Sequence, residues 1–334
     1  NLRSAVLPNI KVPNPYSAKH MSFADAVEKA APAVVTIFSE GISSVPRFKR
    51  ANTTQELGSG VIMSSDGYIL TNYHVVNNAD QIMIILTDGR TFNEVQIIGF
   101  DTVTDLALLK IDAQHLPVIP VDDSFSPRVG DVVLAIGNPL NLGQTITQGV
   151  ISATGKKLTP DNSYSSLLQM DAAVNVGNSG GALINSNGTL VGLTSAQFRT
   201  RYNIDIQGIS FAIPYSLANE VMEKLKRDGR VIRGYLGFTG SPVDSTGKVI
   251  TDLYTKIVGL KVNNIDPLGP AWQAGMQNDD IIVRVAGNAV NNPETTLKFI
   301  ANTQPGTVVE FEAYRNTKLL TFKVTVAKLE SRMQ

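Results

Sequence analysis

The sequence predicts an all-β first part, of barrel or sandwich class, followed by a smaller α+β unit. Three observations carry this. Between Val34 and Ile213, short runs rich in branched residues recur: Val34–Phe38, Gly60–Met63, Tyr68–Thr71, Ile82–Leu86, Val95–Ile98, Leu106–Ile111, Asp131–Ile136 and Leu190–Thr194. Turn residues separate them, as in Ser65-Asp66-Gly67, Asp88-Gly89 and Asn187-Gly188. The period then changes. Leu217, Val221, Met222 and Leu225 fall at helical spacing over Pro214–Arg230, Gly229 stands where a C-terminal cap belongs, and a new β-rich pattern begins at Gly234. Many short strands at this spacing argue against a parallel βαβ sheet.

Taken in order, residues 1–20 carry Pro8, Pro13, Asn14 and Pro15 with no apolar period, and read as an extended tail. Ser22 opens a short helix with Asp25 as its capping-box partner, and the helix stops before Pro32. Phe23, Val27, Ala30 and Ala31 form its apolar face. Three stretches, 39–56, 155–166 and 197–207, read as long irregular loops. The first holds Arg47, Lys49 and Arg50, a solvated cluster rather than a binding patch. A domain boundary falls at about 229–233. Beyond it come a strand near 258–263, a short helix near 268–274 ending at Gly275, and a strand Ile281–Val285. A helix started by Asn292-Pro293 follows, then a hairpin of Val308–Tyr314 with Lys318–Val326 turned by Arg315-Asn316.

Composition narrows the function. The 334 residues suffice for two or three domains. Lysine plus arginine equals aspartate plus glutamate, 29 each, which gives no electrostatic case for nucleic acid or an anionic membrane surface. There is no cysteine, which excludes thiol catalysis, thiolate metal sites and disulfides. No apolar run approaches the length of a membrane span. The chain starts at Asn1 rather than methionine, so a processed or truncated start, with any signal or anchor lying upstream, is expected.

One stretch states a reaction: Gly177-Asn178-Ser179-Gly180-Gly181. A serine hydroxyl needs a base beside it and main-chain N–H groups aimed at the oxygen that gains charge. Flanking glycines let the backbone turn sharply and approach a substrate. The segment reads as a nucleophile loop whose 177–179 amides (Gly177, Asn178 and Ser179, with Gly177 and Ser179 as the principal donors) form an oxyanion hole. By itself it reads equally as a glycine-rich turn. Three histidines could supply the base. His20 lies in the tail and His115 in a loop, whereas His74 follows the strand Tyr68–Thr71. Their separation gives no metal-ligand spacing, so no metal and no cofactor are expected. For the orienting acid, Asp105 opens a strongly apolar strand, where a partly buried carboxylate needs a proton donor. Asp171 is the rival, but its closeness to Ser179 makes it a poor reach to the far side of an imidazole. The chain order His74, Asp105, Ser179 matches the order used by paired β-barrels, with the site between them.

At these residues a resemblance appears. Thr71-Asn72-Tyr73-His74-Val75, Thr104-Asp105-Leu106-Ala107-Leu108-Leu109-Lys110 and Gly177-Asn178-Ser179-Gly180-Gly181-Ala182-Leu183 resemble the HtrA serine proteases. The likeness runs from about 22 to 327. It includes Gly137-Asn138-Pro139, Gln148-Gly149-Val150-Ile151-Ser152 and Gly208-Ile209-Ser210-Phe211-Ala212-Ile213-Pro214. Asn1-Leu2-Arg3-Ser4 and Asp228-Gly229-Arg230-Val231-Ile232-Arg233-Gly234-Tyr235 are similar to the membrane-anchored, periplasmic stress-sensor branch of that family, with one PDZ domain. The resemblance implies a chymotrypsin-like double β-barrel protease domain at 22–228, a PDZ domain at 230–328 and a tail at 1–21. It implies a homotrimer, protein or peptide substrates, and activation by C-terminal peptides at the PDZ domain. The implied role is site-1 cleavage of an anti-sigma factor in an envelope stress response. General periplasmic quality control, or a PDZ-based chaperone or scaffold, are the alternatives. Lys156 falls where the family often has an arginine that relays PDZ occupancy, and Val176 is apolar where relatives are often polar. Tyr235, Leu236, Gly237 and Phe238 would form the carboxylate-binding loop, with the amides of Leu236, Gly237 and Phe238 on the carboxylate.

Overall fold

The computed structural model describes residues 22–43, 52–138, 143–156, 166–175, 177–196, 207–250 and 255–329. Branched, alternating runs give two antiparallel sheets in the first part. The first holds seven strands: β1 (Val34–Ser43), β2 (Asn52–Ile62), β3 (Tyr68–Asn72), β4 (Gln81–Ile85), β5 (Thr91–Phe92), β6 (Val95–Asp101) and β7 (Leu106–Ile111). Their order is β5-β4-β1-β2-β3-β7-β6. The second closes as a barrel of β8 (Val132–Gly137), β9 (Thr145–Lys156), β10 (Leu167–Met170), β11 (Ala182–Asn185), β12 (Leu190–Ser195) and β13 (Ser210–Pro214). Strands β3, β7, β11 and β12 are buried almost end to end, because both faces are covered. The main core runs through the first sheet into the second barrel and takes in Val221, Met222 and Leu225 of the helix Tyr215–Asp228.

Two short helices precede that one. α1 (Ala24–Ala30) begins one residue later than a capping box would set it: Ser22 Oγ accepts the Ala24 N–H at 3.2 Å, and the cap position Phe23 offers no side-chain bond. Asp25 therefore takes no part as a capping partner. A 3₁₀ turn over Ala31–Ala33 accommodates Pro32 at its start. α2 (Tyr73–Val76) is a single turn directly after β3. α3 (Tyr215–Asp228) ends on Gly229 in the left-handed region, φ 67°, as the Schellman-type cap expects.

The 39–56 stretch is not an irregular loop. β1 and β2 stay paired out to Ser43 with Asn52, a hairpin arm carried beyond the core. Arg47, Lys49 and Arg50, most of 155–166 and nearly all of 197–207 lie outside the described residues.

The second part has β14 (Gly234–Tyr235) paired with β21 (Ala327–Lys328), and a sheet ordered β15-β16-β17-β19-β20. These are β15 (Thr239–Val243), β16 (Gly259–Asn263), β17 (Ile281–Val285), β19 (Val308–Arg315) and β20 (Lys318–Thr325), with β18 (Asn288–Ala289) paired to β17. Helix α4 (Pro270–Gln273) is shorter than the 268–274 span, and α5 (Pro293–Asn302) starts on Asn292, whose side chain accepts the Thr295 N–H. Arg315 stays in β19 and the turn begins at Asn316, φ 54°. Leu236, Val262, Ile282, Phe311 and Val324 lie in its separate core.

The two parts are tied by charge. Arg233 donates from both terminal nitrogens to Asp101, at 2.5 and 2.6 Å, and both side chains are buried. Glu220 on α3 meets Lys224 of the same helix and Lys298 of α5, each at 3.0 Å.

Candidate active site

The site starts from the register of two strands. β3 and β7 pair with Asn72 opposite Leu106, so the residues just beyond their ends meet. Asp105 precedes β7 at φ 58°, a left-handed conformation that an aspartate tolerates better than most residues. Three donors hold it. Tyr73 N–H and Asn72 Nδ2 both give to its carbonyl at 3.0 Å, and His74 N–H gives to Oδ1 at 2.9 Å. The single turn of α2 then swings the His74 ring so that Nδ1 lies 2.7 Å from Asp105 Oδ2. Asp105 is 4% exposed. A buried carboxylate at Nδ1 selects the Nδ1–H tautomer and leaves Nε2 as the basic nitrogen.

Ser179 comes from the second barrel. Gly177 (φ 96°) and Gly180 (φ 80°) turn the chain on either side of it. The Gly180 Cα abuts β2 and β3; a Cβ there would stand 2.2 Å from the Ser59 carbonyl and 2.4 Å from Thr71 Oγ1. The nucleophile loop is thereby seated against the strand that leads to His74. Thr194 of β12 fastens it from the other side, donating to the Asn178 carbonyl at 2.6 Å and accepting the Gly180 N–H on its own carbonyl at 2.8 Å. Ser179 Oγ accepts the Ala196 N–H at 3.0 Å, and no hydrogen bond joins it to His74 among the described residues. The neighbour of Ala196, Ser195, donates to Asp105 Oδ2 at 3.4 Å. So the structure pairs His74 with Asp105 directly and brings Ser179 beside them through Gly180 and Ala196. A looser nucleophile–base contact is common before substrate is bound.

The peptide planes sort the oxyanion donors. With the Asn178 carbonyl held by Thr194, the Ser179 N–H of the same trans peptide points the opposite way, and it has no acceptor among the described residues. The Asn178 N–H does not belong to this set: it donates to the Asn175 carbonyl at 3.0 Å. Of the three amides expected from sequence, Asn178 is removed. An arrangement of imidazole, carboxylate, hydroxyl and an outward amide can carry nucleophilic acyl transfer.

The remaining sequence candidates separate. Asp171 spends Oδ1 on the Val150 N–H at 2.7 Å and is exposed, a strand tie rather than an orienting acid. His115 lies exposed in a loop, and His20 is outside the described residues. Lys156 ends β9 on the surface, opposite Leu167, while Val176 is outside the described residues. Among the described residues no group of three or more histidines and carboxylates could hold a metal. Ser195, buried beside Asp105, was invisible to sequence reasoning; a small polar residue ending an apolar strand is its only signal.

In the second part, the loop 235–238 turns its carbonyls inward. Leu236 O accepts the Ala271 N–H at 2.9 Å and Gly237 O the Asp266 N–H at 2.7 Å. Gly237 adopts φ 84° and packs on Gly269, where a Cβ would come within 2.9 Å of its Cα. Tyr235 Oη donates to Asp266 at 2.8 Å. The N–H groups of Leu236, Gly237 and Phe238 have no acceptor among the described residues. The next strand, β15, is an edge strand bonded to β16 on one side. Ile250 N–H donates to the Pro242 carbonyl at the far end of that strand, at 2.9 Å, so a row of amides beside the Thr239–Ser241 edge suits an extended chain with a terminal carboxylate.

Comparison with known proteins adds independent findings. The Trypsin-like peptidase domain family matches residues 58–193, and the PDZ domain family matches 234–326. Serine endoprotease DegS of Salmonella typhimurium is 44% identical over 332 residues, covering 96% of this chain and 92% of that protein. A probable periplasmic serine endoprotease, DegP-like, of Halomonas elongata is 40% identical over 274 residues, covering 81% of this chain and 56% of its own. The crystal structure of the serine endoprotease from Yersinia pestis shares 45% identity at a TM-score of 0.70, covering 93% of this chain and 99% of that one. The HtrA-type protease AlgW with a tripeptide shares 37% identity at a TM-score of 0.78, covering 93% and 98%.

Proposed function

This chain belongs to the HtrA/DegS family of trypsin-like serine endoproteases carrying a PDZ domain, and from that premise we propose that His74, Asp105 and Ser179 carry its peptide-bond hydrolysis. His74 Nε2 takes the Ser179 proton as Oγ attacks the scissile carbonyl. The amides of Gly177 and Ser179 receive the oxyanion. His74 then protonates the leaving amine, and water repeats the cycle on the acyl-enzyme. Asp105 keeps the ring in its productive tautomer and stabilises the imidazolium. The supporting observation is the 2.7 Å pairing of His74 with a buried, backbone-anchored carboxylate, beside a serine held between two left-handed glycines.

The protease unit is assigned to 22–228, the PDZ unit to 230–328 and the tail to 1–21. The substrates are proteins or peptides with exposed extended segments. C-terminal peptides dock their carboxylate on the Leu236–Phe238 amides, extend along β15, and shift the protease toward its active loop arrangement. Lys156 is the candidate to carry that signal. The setting is the periplasm, as a homotrimer, with the anti-sigma-factor cleavage of an envelope stress response as the role. No helix among the described residues is long and apolar enough to cross a membrane.

Cleavage of an unfolded protein substrate, with and without peptides ending in apolar residues, tests this. Peptide-stimulated cleavage that disappears in Ser179→Ala is expected. Cleavage by Ser179→Ala refutes the assignment of the nucleophile. Vigorous cleavage indifferent to every peptide points instead to general quality control.

A further inference from the structure

Ser59 sits in the middle of β2, fully buried, with Gly58 and Gly60 beside it. A lone hydroxyl in such a place needs partners, and all of them lie across chain segments that build the site. Its main-chain N–H donates to the Ser179 carbonyl at 2.8 Å. Its carbonyl accepts Thr71 Oγ1 at 2.7 Å. Its Oγ donates to the Gly177 carbonyl at 2.7 Å and accepts the Asn138 N–H at 3.1 Å.

The polarity of this hydroxyl is fixed. An amide N–H can only donate and a carbonyl can only accept. The proton of Ser59 must therefore point at Gly177, making one directed relay: Asn138 N–H to Ser59 Oγ–H to Gly177 O. The relay joins a strand of the first sheet to two segments of the second barrel. The carbonyls that Ser59 holds belong to the peptide units 177–178 and 179–180. They flank the 178–179 unit, whose N–H is one of the two proposed oxyanion donors. Peptide units are planar, so fixing both neighbours leaves the middle unit little rotation about its two ends.

We propose that Ser59 is a positioning residue for the oxyanion hole, acting through the Gly177 carbonyl and touching neither substrate nor His74. This rests on the assignment of Ser179 as nucleophile. Losing one oxyanion donor outright costs about 10²–10³ in kcat. Ser59 acts one step removed, so Ser59→Ala should lower kcat by about 10–100-fold.

The test uses the full chain with a peptide substrate, at a temperature well below melting. Ser59→Ala should lose kcat with KM within about twofold of the parent. Its affinity for a peptide boronic acid, which forms a tetrahedral adduct, should fall by the same factor as kcat/KM. The pH profile should keep its shape, because the imidazole and its carboxylate are untouched. Thr36→Val is the control. It removes another bond across the same seam, from Asn138 Nδ2 to Thr36 Oγ1 at 2.7 Å, without entering the relay, and should keep kcat within about threefold. If Ser59→Ala does not fold, Ser59→Cys, a weaker donor, carries the same measurements. The proposal is overturned if kcat is unchanged, if Thr36→Val loses as much, or if boronate affinity does not follow kcat/KM. Ser179→Ala runs alongside: cleavage by it defeats the nucleophile assignment, whereas an inert Ser179→Ala with a fully active Ser59→Ala defeats the relay alone.

Discussion

Asp105→Asn changes one atom at the most constrained point of the site. In the native arrangement Oδ1 accepts the His74 main-chain N–H at 2.9 Å, while Oδ2 faces ring Nδ1 at 2.7 Å and the Ser195 hydroxyl at 3.4 Å. Asparagine has the same shape but one acceptor. The main-chain N–H is a fixed donor, so the amide oxygen must stay opposite it. The NH₂ group then faces Nδ1 and obliges the ring to accept there. Its proton moves to Nε2, the nitrogen that has to take the Ser179 proton. The imidazolium also loses its counter-charge. In a chymotrypsin-type enzyme this change costs about 10⁴ in kcat, or about 5 kcal/mol of barrier at 1.36 kcal/mol per decade. The same loss is expected here, with KM within about threefold and melting little altered, since a buried charge has been neutralised rather than stranded. Steady-state kinetics on a fluorogenic peptide, corrected by active-site titration, reads it. A fall in kcat of less than about 100-fold would refute the reasoning, because the tautomer argument leaves no intermediate outcome.

Three further changes probe the remainder of the structure. Arg233→Met takes the counter-charge from the buried Asp101 carboxylate and leaves it the Thr104 N–H and hydroxyl on Oδ2, a loss of up to about 3–5 kcal/mol. On a unit of roughly 200 residues that is about 6–20 °C in Tm, which scanning calorimetry should show and which adding Asp101→Leu should largely recover; a shift under 2 °C contradicts it. Burial alone would raise the Glu220 carboxyl, but hydrogen bonds from Lys298 and Lys224 outweigh it and hold the group below its ordinary value. Its stabilising contribution is therefore complete above the unfolded carboxylate range and is lost as pH falls through the lower folded value. The Tm gap between the parent and Glu220→Gln should shrink from pH 7 to pH 3, and a constant gap would count against the contact. Gly237→Val places a side chain at φ 84° and within 2.9 Å of Gly269. It should weaken binding of a C-terminal peptide by more than tenfold in fluorescence anisotropy, and unchanged affinity would remove the 235–238 loop from the peptide site.

What could be read from the sequence follows from the range of the forces involved. Leu106–Ile111 is visible because five of its six residues, all but Lys110, are apolar, the pattern of a short strand buried on both faces. His74 and Asp105 stand out because each adjoins such a strand, and strand pairing alone brings them together. The β1–β2 arm is missed because Ser39–Ser43 and Asn52–Gln55 are mostly polar or glycine rather than an apolar alternation, and it is backbone pairing between the two segments that extends the strands there. Residue types also do not tell which way a peptide plane faces, so the Asn178 amide looks as available as its neighbours until the Asn175 carbonyl is seen to take it. Ser59, between two glycines, has the composition of a turn. Its partners lie 79 and 118 residues away, beyond any local pattern. The Arg233–Asp101 pair, 132 residues apart, is hidden for the same reason.

The central claim is that one hydroxyl, at position 179, is made nucleophilic by the imidazole at 74. Reaction with a fluorophosphonate, followed by peptide mass mapping, tests it directly. A single adduct on Ser179, forming at least 100-fold more slowly in His74→Ala, is the predicted result. Adduct on another residue, or labelling at Ser179 that is indifferent to the loss of His74, would contradict it.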